Sequence, residues 1–163
     1  MLIHIGNNER LSQAVAIGGG TAMHHMLLDK PQRHTENLEL LMRSDASMPD
    51  IVSAVQEMGI GFGMQVIESD AEQLALKKQY PYYDVVNLKK VGFFNDFIRI
   101  NVYIDNESHA NDMANESDLR TVTMENAWFS GSAKVPCAKP EAIAAFKMAL
   151  LNGHPSPRIL DNW

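Results

Sequence analysis

Ala16-Ile17-Gly18-Gly19-Gly20-Thr21-Ala22 reads as a short strand, a glycine turn and the opening of a helix. Glycine lets the backbone turn tightly and lets another group come close. The helix that follows offers unpaired N–H groups and the positive end of its dipole, a natural place for phosphate. Further on, Arg33-His34-Thr35-Glu36-Asn37-Leu38-Glu39-Leu40 ends in a strand. Residues two apart on a strand share a face, so Asn37 and Glu39 point one way while Leu38 and Leu40 point into a core. A phosphate-binding turn followed by paired oxygen ligands points to a site for a metal-bound nucleotide. Three glycines also describe an ordinary strand-to-helix turn, since short motifs match often by chance.

Here the sequence resembles the AbiEii/AbiGii toxin-like branch of the DNA polymerase beta-type nucleotidyltransferases. That family carries a Gly-Gly-Thr/Ser turn, then an Arg-x-Thr/Ser-x-Asp-x-Asp strand, then a third aspartate on a later strand. Gly19, Gly20 and Thr21 match the turn, and Arg33 and Thr35 match the lead-in. The two aspartate positions fall on Asn37 and Glu39, and the third falls on Asn101. A late helix in the family carries a lysine, which Lys147 matches. The basic-Asp-x-x-Asp stretch after it is met in part by Arg158 and Asp161, with Ile159 where an acid is common. The resemblance spans about 16–162. Relatives usually carry a longer helix before the turn and continue with further helices after the point where this chain ends.

Length and composition set the frame. A chain of 163 residues is expected to form one domain, 1–163, with a sizeable core. An apolar fraction of 45% and a charged fraction of 21% fit a soluble globular protein. The net charge of −6, with no Lys/Arg run, argues against broad nucleic-acid binding and leaves room for a local patch. One cysteine, Cys137, excludes an internal disulfide framework and fits a reducing cytoplasm. Met1-Leu2-Ile3-His4-Ile5 lacks the basic and apolar regions of a signal peptide, and no apolar run is long enough for a membrane span.

Periodicity supplies the elements. A helical turn at 8–14 feeds a strand at 15–18, and a helix covers 21–28 with Met23, Met26 and Leu27 on its apolar face. A strand follows at 37–43. Ser47 caps a helix with Pro49 in its first turn, striped by Ile51, Val52, Val55 and Met58 and ended by Gly59. Ile60, Phe62, Met64 and Val66 alternate as a strand, with Gly61 and Gly63 leaving room for a packed helix. Ser69-Asp70-Ala71-Glu72 forms a capping box. Tyr82–Lys90 and Phe97–Asp105 form a hairpin turning near Gly92 to Asp96. Arg99, Asn101, Tyr103 and Asp105 share its polar face. Residues 106–118 are a loop or irregular helix, 119–129 a strand, and a final helix runs over about 140–151.

The residue types bear on the chemistry. Nucleotidyl transfer is largely positioning plus charge stabilisation, with Mg²⁺ held by carboxylates. Mg²⁺ takes hard anionic oxygens in tight octahedral geometry. Three aspartates would bring three negative charges, whereas Asn37, Glu39 and Asn101 bring one. The site is therefore expected to hold Mg²⁺ weakly, through Glu39, and to be catalytically weak or dead. Glu36 points to the opposite face and Asp105 lies further along, so neither compensates. Gly18, Gly19, Gly20 and Thr21 are expected to bind phosphate without metal, joined by Lys147, which reads equally well as a solvated helix lysine. Arg33 pairs with a phosphate or locks its loop. Arg158 and Asp161 read as a surface pair. The histidines show no zinc spacing, and Cys137 beside Pro136 reads as a packed residue. The methionines at 23, 26, 58 and 64 read as core filler.

The resemblance implies an α+β fold, a mixed β-sheet with helices mainly on one side. It implies a cleft for an NTP and transfer of a nucleotidyl group to an RNA or protein hydroxyl. The alternative is a non-catalytic binding module of a toxin–antitoxin-like system, partnered by an antitoxin. In either case the expected location is the cytoplasm.

Overall fold

In a computed structural model, the structure describes residues 1–28, 37–68, 74, 83–92, 97–104, 110–125 and 130–153. The strands are β1 (Val15–Ile17), β2 (Asn37–Met42), β3 (Met64–Ile67), β4 (Tyr83–Lys90), β5 (Phe97–Tyr103), β6 (Asp118–Glu125) and β7 (Ser130–Cys137). They form one seven-stranded sheet in the order β3-β4-β5-β2-β1-β7-β6. β2 runs parallel to β5, and β1 parallel to β7; the other neighbours are antiparallel. The fold is α+β with a mixed sheet, as the resemblance implied.

β1 lies inside the sheet, between β2 and β7, and all three of its residues are fully buried. A central strand covered on both faces reads as an unbroken apolar run, which Val15-Ala16-Ile17 supplies. Leu38 and Leu40 of β2 and Ile100 and Val102 of β5 continue this core across the sheet.

The helices are α1 (Leu2–Asn7), α2 (Glu9–Ala14), α3 (Gly19–Ala22), α4 (Met48–Ile60), α5 (Ala110–Asn115) and α6 (Pro140–Gly153). α2 opens on Asn8, whose side chain accepts from the Leu11 N–H at 3.0 Å. α4 opens on Ser47, whose hydroxyl accepts from the Asp50 N–H, and it buries Ile51, Ala54, Val55 and Met58. These caps satisfy donors that the first helical turn leaves unpaired. Val15 then starts directly after α2, where the chain goes extended.

Four segments differ from the sequence expectation. Residues 2–7 are helical, with Ile3 and Ile5 buried. Gly6 lets this helix lie on β7, because a Cβ there would stand 2.7 Å from the Lys134 carbonyl oxygen. The strand expected from Ile60 begins only at Met64. Gly61–Gly63 is a turn, and Gly63 has φ +67°, so turn chemistry wins over alternation. The close helix–sheet approach is made instead by Gly59, where a Cβ would lie 2.8 Å from Leu88. Ala110–Asn115 is a regular helix that buries Met113 and Ala114 against β1 and β2. Finally, 130–137 is a strand. Its Ser-Gly-Ser opening and Pro136 disguise it, since proline lacks the ladder N–H. Pro136 sits near the strand's end, where pairing with β1 is made between Ile17 and Cys137.

Cys137 is fully buried, and burial pushes its thiol up to about 11, with Arg120 opposing and Asp118 adding to the shift. This is the environment of a packed residue rather than a nucleophile. The capping box at 69–72 and the hairpin turn at 93–96 lie outside the described residues.

Candidate functional site

The site is built where β1 turns into α3. The Gly18 N–H still donates to the Glu39 carbonyl oxygen at 2.9 Å, so the chain leaves the sheet only at Gly19. Gly19 has φ +52°, in the left-handed region that suits glycine. From there α3 runs without a break into a single π-type turn, Met23–Leu27, closed by the Leu28 N–H on the Met23 carbonyl at 3.0 Å. Wide turns of this kind recur at functional sites.

Thr21 ties this helix to β2. Its buried hydroxyl donates to the Asn37 carbonyl oxygen at 3.0 Å and stands 3.3 Å from the Glu39 N–H, which donates to it. Thr21 is thus committed to the strand backbone.

Glu39 fills the turn. One carboxylate oxygen accepts from the Gly20 N–H. The other lies 3.8 Å from the Lys147 ammonium on α6. The two side chains are only 14% and 12% exposed, so this is a mostly buried ion pair. A Cβ on Gly19 would overlap the same carboxylate. Glycine is therefore required at position 19 for both its backbone angle and its missing side chain.

The sheet register places the other candidates. Glu39 stands opposite Asn101, and Asn37 opposite Arg99. Opposed residues on neighbouring strands point to the same face. Asn37, Glu39, Arg99 and Asn101 therefore share one face, and Lys147 reaches it from α6. Arg99 is the residue whose importance the sequence reading missed. Its place on the polar face was legible from alternation, but nothing in the spacing said that it would stand beside Asn37. Its Nε is buried and has no hydrogen-bond partner among the described residues. Arg33, Thr35, Glu36, Asp105, Arg158 and Asp161 lie outside the described residues, as do His34, His109 and His154.

Thr21 and Asn37 also border a cavity of about 660 Å³, walled mostly by apolar residues such as Leu2, Phe62, Ile98 and Met124, with His25 at its edge. No sequence periodicity announced it, because its walls come from separate elements.

A family model described as nucleotidyl transferase AbiEii toxin, type IV TA system, matches residues 6–161. The chain belongs to the AbiEii family. No curated protein matches it. AbiEii membership brings a nucleotidyltransferase fold and a toxin of a type IV toxin–antitoxin system into the argument. Nucleotidyltransferases generally use an NTP with metal ions. The donor set that the described residues of this AbiEii chain offer does not fit such ions. Among the described residues the face holds one carboxylate, already bonded to Gly20 and paired with Lys147, the neutral amides of Asn37, Asn101 and Asn87, and the Arg99 guanidinium. Mg²⁺ calls for several hard anionic oxygens. Among the described residues no group of three His, Cys, Asp or Glu side chains could hold a metal ion. Nor is any helix among them long and apolar enough to cross a membrane.

Proposed function

We propose that this AbiEii-family protein is a divergent nucleotidyltransferase-fold protein whose cleft takes the phosphate part of a nucleotide and which is catalytically impaired. One observation carries the reading. On the face where the family keeps acids, the described residues of β2, β5 and α6 bring two cations, Arg99 and Lys147, against one carboxylate, Glu39. Such a face favours anions over divalent cations. Gly20 adds a backbone N–H donor at the start of α3.

The same residues explain the impairment. Nucleotidyl transfer needs the acceptor hydroxyl activated and the growing charge stabilised. Lys147, Arg99 and the Gly19–Gly20 turn can hold and orient phosphate oxygens. Asn101, where a carboxylate would take the acceptor's proton, offers an amide that is no base at neutral pH. In this reading Arg33 would add a further contact to the phosphates.

A second reading shares the scaffold: a binding module of a toxin–antitoxin pair, acting through an antitoxin partner with no transfer at all. The neutral residues at 37 and 101 favour it as well. Titration calorimetry with ATP, with and without Mg²⁺, tests the shared part. Weak binding that is largely indifferent to Mg²⁺ is expected; tight binding with a strict Mg²⁺ requirement refutes it. Labelled-NTP transfer to total RNA and to the protein itself separates the two readings. A slow transfer marks the impaired enzyme, none marks the binding module, and robust transfer overturns both.

A further inference from the structure

We infer that Glu39 is a built-in competitor for the phosphate site, a carboxylate latch that must leave before an anionic ligand can use Gly20 and Lys147. The inference rests on the phosphate-binding reading above and concerns how that site is controlled.

The turn is seen with an anion in it, and the anion is the protein's own. Glu39 takes the Gly20 N–H with one oxygen and the Lys147 ammonium with the other. These are the contacts a phosphate oxygen would want from a helix start and a lysine. Gly19 lies so close that any added side chain would meet the carboxylate, so the space is already taken. The longer reach of glutamate matters here. Its backbone is held in β2, with its N–H on Thr21 and its carbonyl on Gly18, while its side chain spans the gap to the turn. A phosphate entering the turn therefore meets a negative charge, a donor already used and a lysine already paired. It binds only as the carboxylate is displaced, and the cost of that displacement is subtracted from its affinity.

The latch makes an expectation opposite to that for a metal-ligating acid. If Glu39 served to hold a cation, neutralising it would weaken nucleotide binding. As a latch, neutralising it strengthens binding of a metal-free polyanion. Glu39→Gln keeps the length and an acceptor for the Gly20 N–H while removing the charge. Glu39→Ala empties the turn altogether and serves should the amide hold its place.

The experiment is calorimetry of inorganic triphosphate in EDTA against the parent protein, Glu39→Gln and Glu39→Ala, each checked for folding by circular dichroism. The expected result is at least tenfold tighter binding in one or both variants. Measurable binding in the parent with equal or weaker binding in both variants overturns the latch and leaves the phosphate reading standing. Heatless mixing in all three proteins overturns the latch together with the phosphate reading. Adding Lys147→Met to the tighter variant should remove most of the gain. A gain that survives it also overturns the latch, since Lys147 is the cation that the latch withholds.

Discussion

Replacing Lys147 by methionine isolates the energy of the pair at the centre of the site. Methionine keeps the unbranched stem and removes the charge. At 3.8 Å, two unit charges attract by about 4 kcal/mol at an effective dielectric of ~20. Much of that is offset by the cost of taking both groups out of water. Breaking a fully buried pair from one side typically costs about 3–5 kcal/mol, because the remaining charge loses its partner. Here the separation is long, both groups keep some contact with water and the Gly20 N–H still holds one oxygen, so about 2 kcal/mol is the expected loss. For a chain of this size that is roughly 4–8 °C in melting temperature. Urea denaturation of the parent, Lys147→Met, Glu39→Gln and the double variant closes a double-mutant cycle. The double variant should be more stable than the sum of single losses implies, by about 1–2 kcal/mol. A coupling below about 0.3 kcal/mol is indistinguishable from independent sites and would refute the claim that α6 delivers a working counter-charge to Glu39.

Two further outcomes follow from the same structure. Gly19→Ala must both accept a left-handed backbone and expel the Glu39 carboxylate, so about 3 kcal/mol of stability should be lost; Gly63→Ala, at φ +67° in open space, should lose about 1. Equal losses in urea denaturation would mean that the contact with Glu39 adds nothing. Cys137, raised from 9.0 to about 11, binds its proton more tightly in the folded than in the unfolded chain. Its contribution is complete below pH 9 and is lost as pH climbs towards and through 11. The parent should therefore lose roughly 1–3 kcal/mol more than Cys137→Ala across that window, and native protein at pH 8 should react slowly with thiol reagents. Identical pH profiles for the two proteins would contradict this.

The glycine turn was legible because it combines two local signals: an apolar run that ends, and residues with no side chain where a helix begins. The polar face of β2 was legible for the same reason, as was Ser47 capping α4. What could not be read was whatever depends on distant parts meeting. Lys147 reads from the sequence equally as a contact to an anion or as a solvated helix lysine; the residue it meets is Glu39, which no spacing rule connects to it. Arg99 was assigned the right face and given no task, since only the β2–β5 register puts it beside Asn37. β7 was hidden by Pro136 and by small residues at its start, which look like a loop until β1 and β6 are set on either side. Alternation at 60–66 misled for the opposite reason. It was a true pattern overruled by two glycines.

The order in which this site is completed has its own consequence. Gly20 and Glu39 come early in the chain, Asn101 later, and Lys147 from the final described helix. β1 cannot be enclosed until β7 pairs with it, and β2 needs β5 as its parallel neighbour. During synthesis, at roughly 5–20 residues per second, the turn and its carboxylate are thus exposed to the ribosome exit for several seconds before their lysine exists. Contacts between such distant segments also slow folding, because loops must close before the contacts can hold them shut. A chain built this way completes the Glu39–Lys147 pair late, as a property of the whole fold, and a fragment lacking α6 would carry the glycine turn and its carboxylate without their counter-charge.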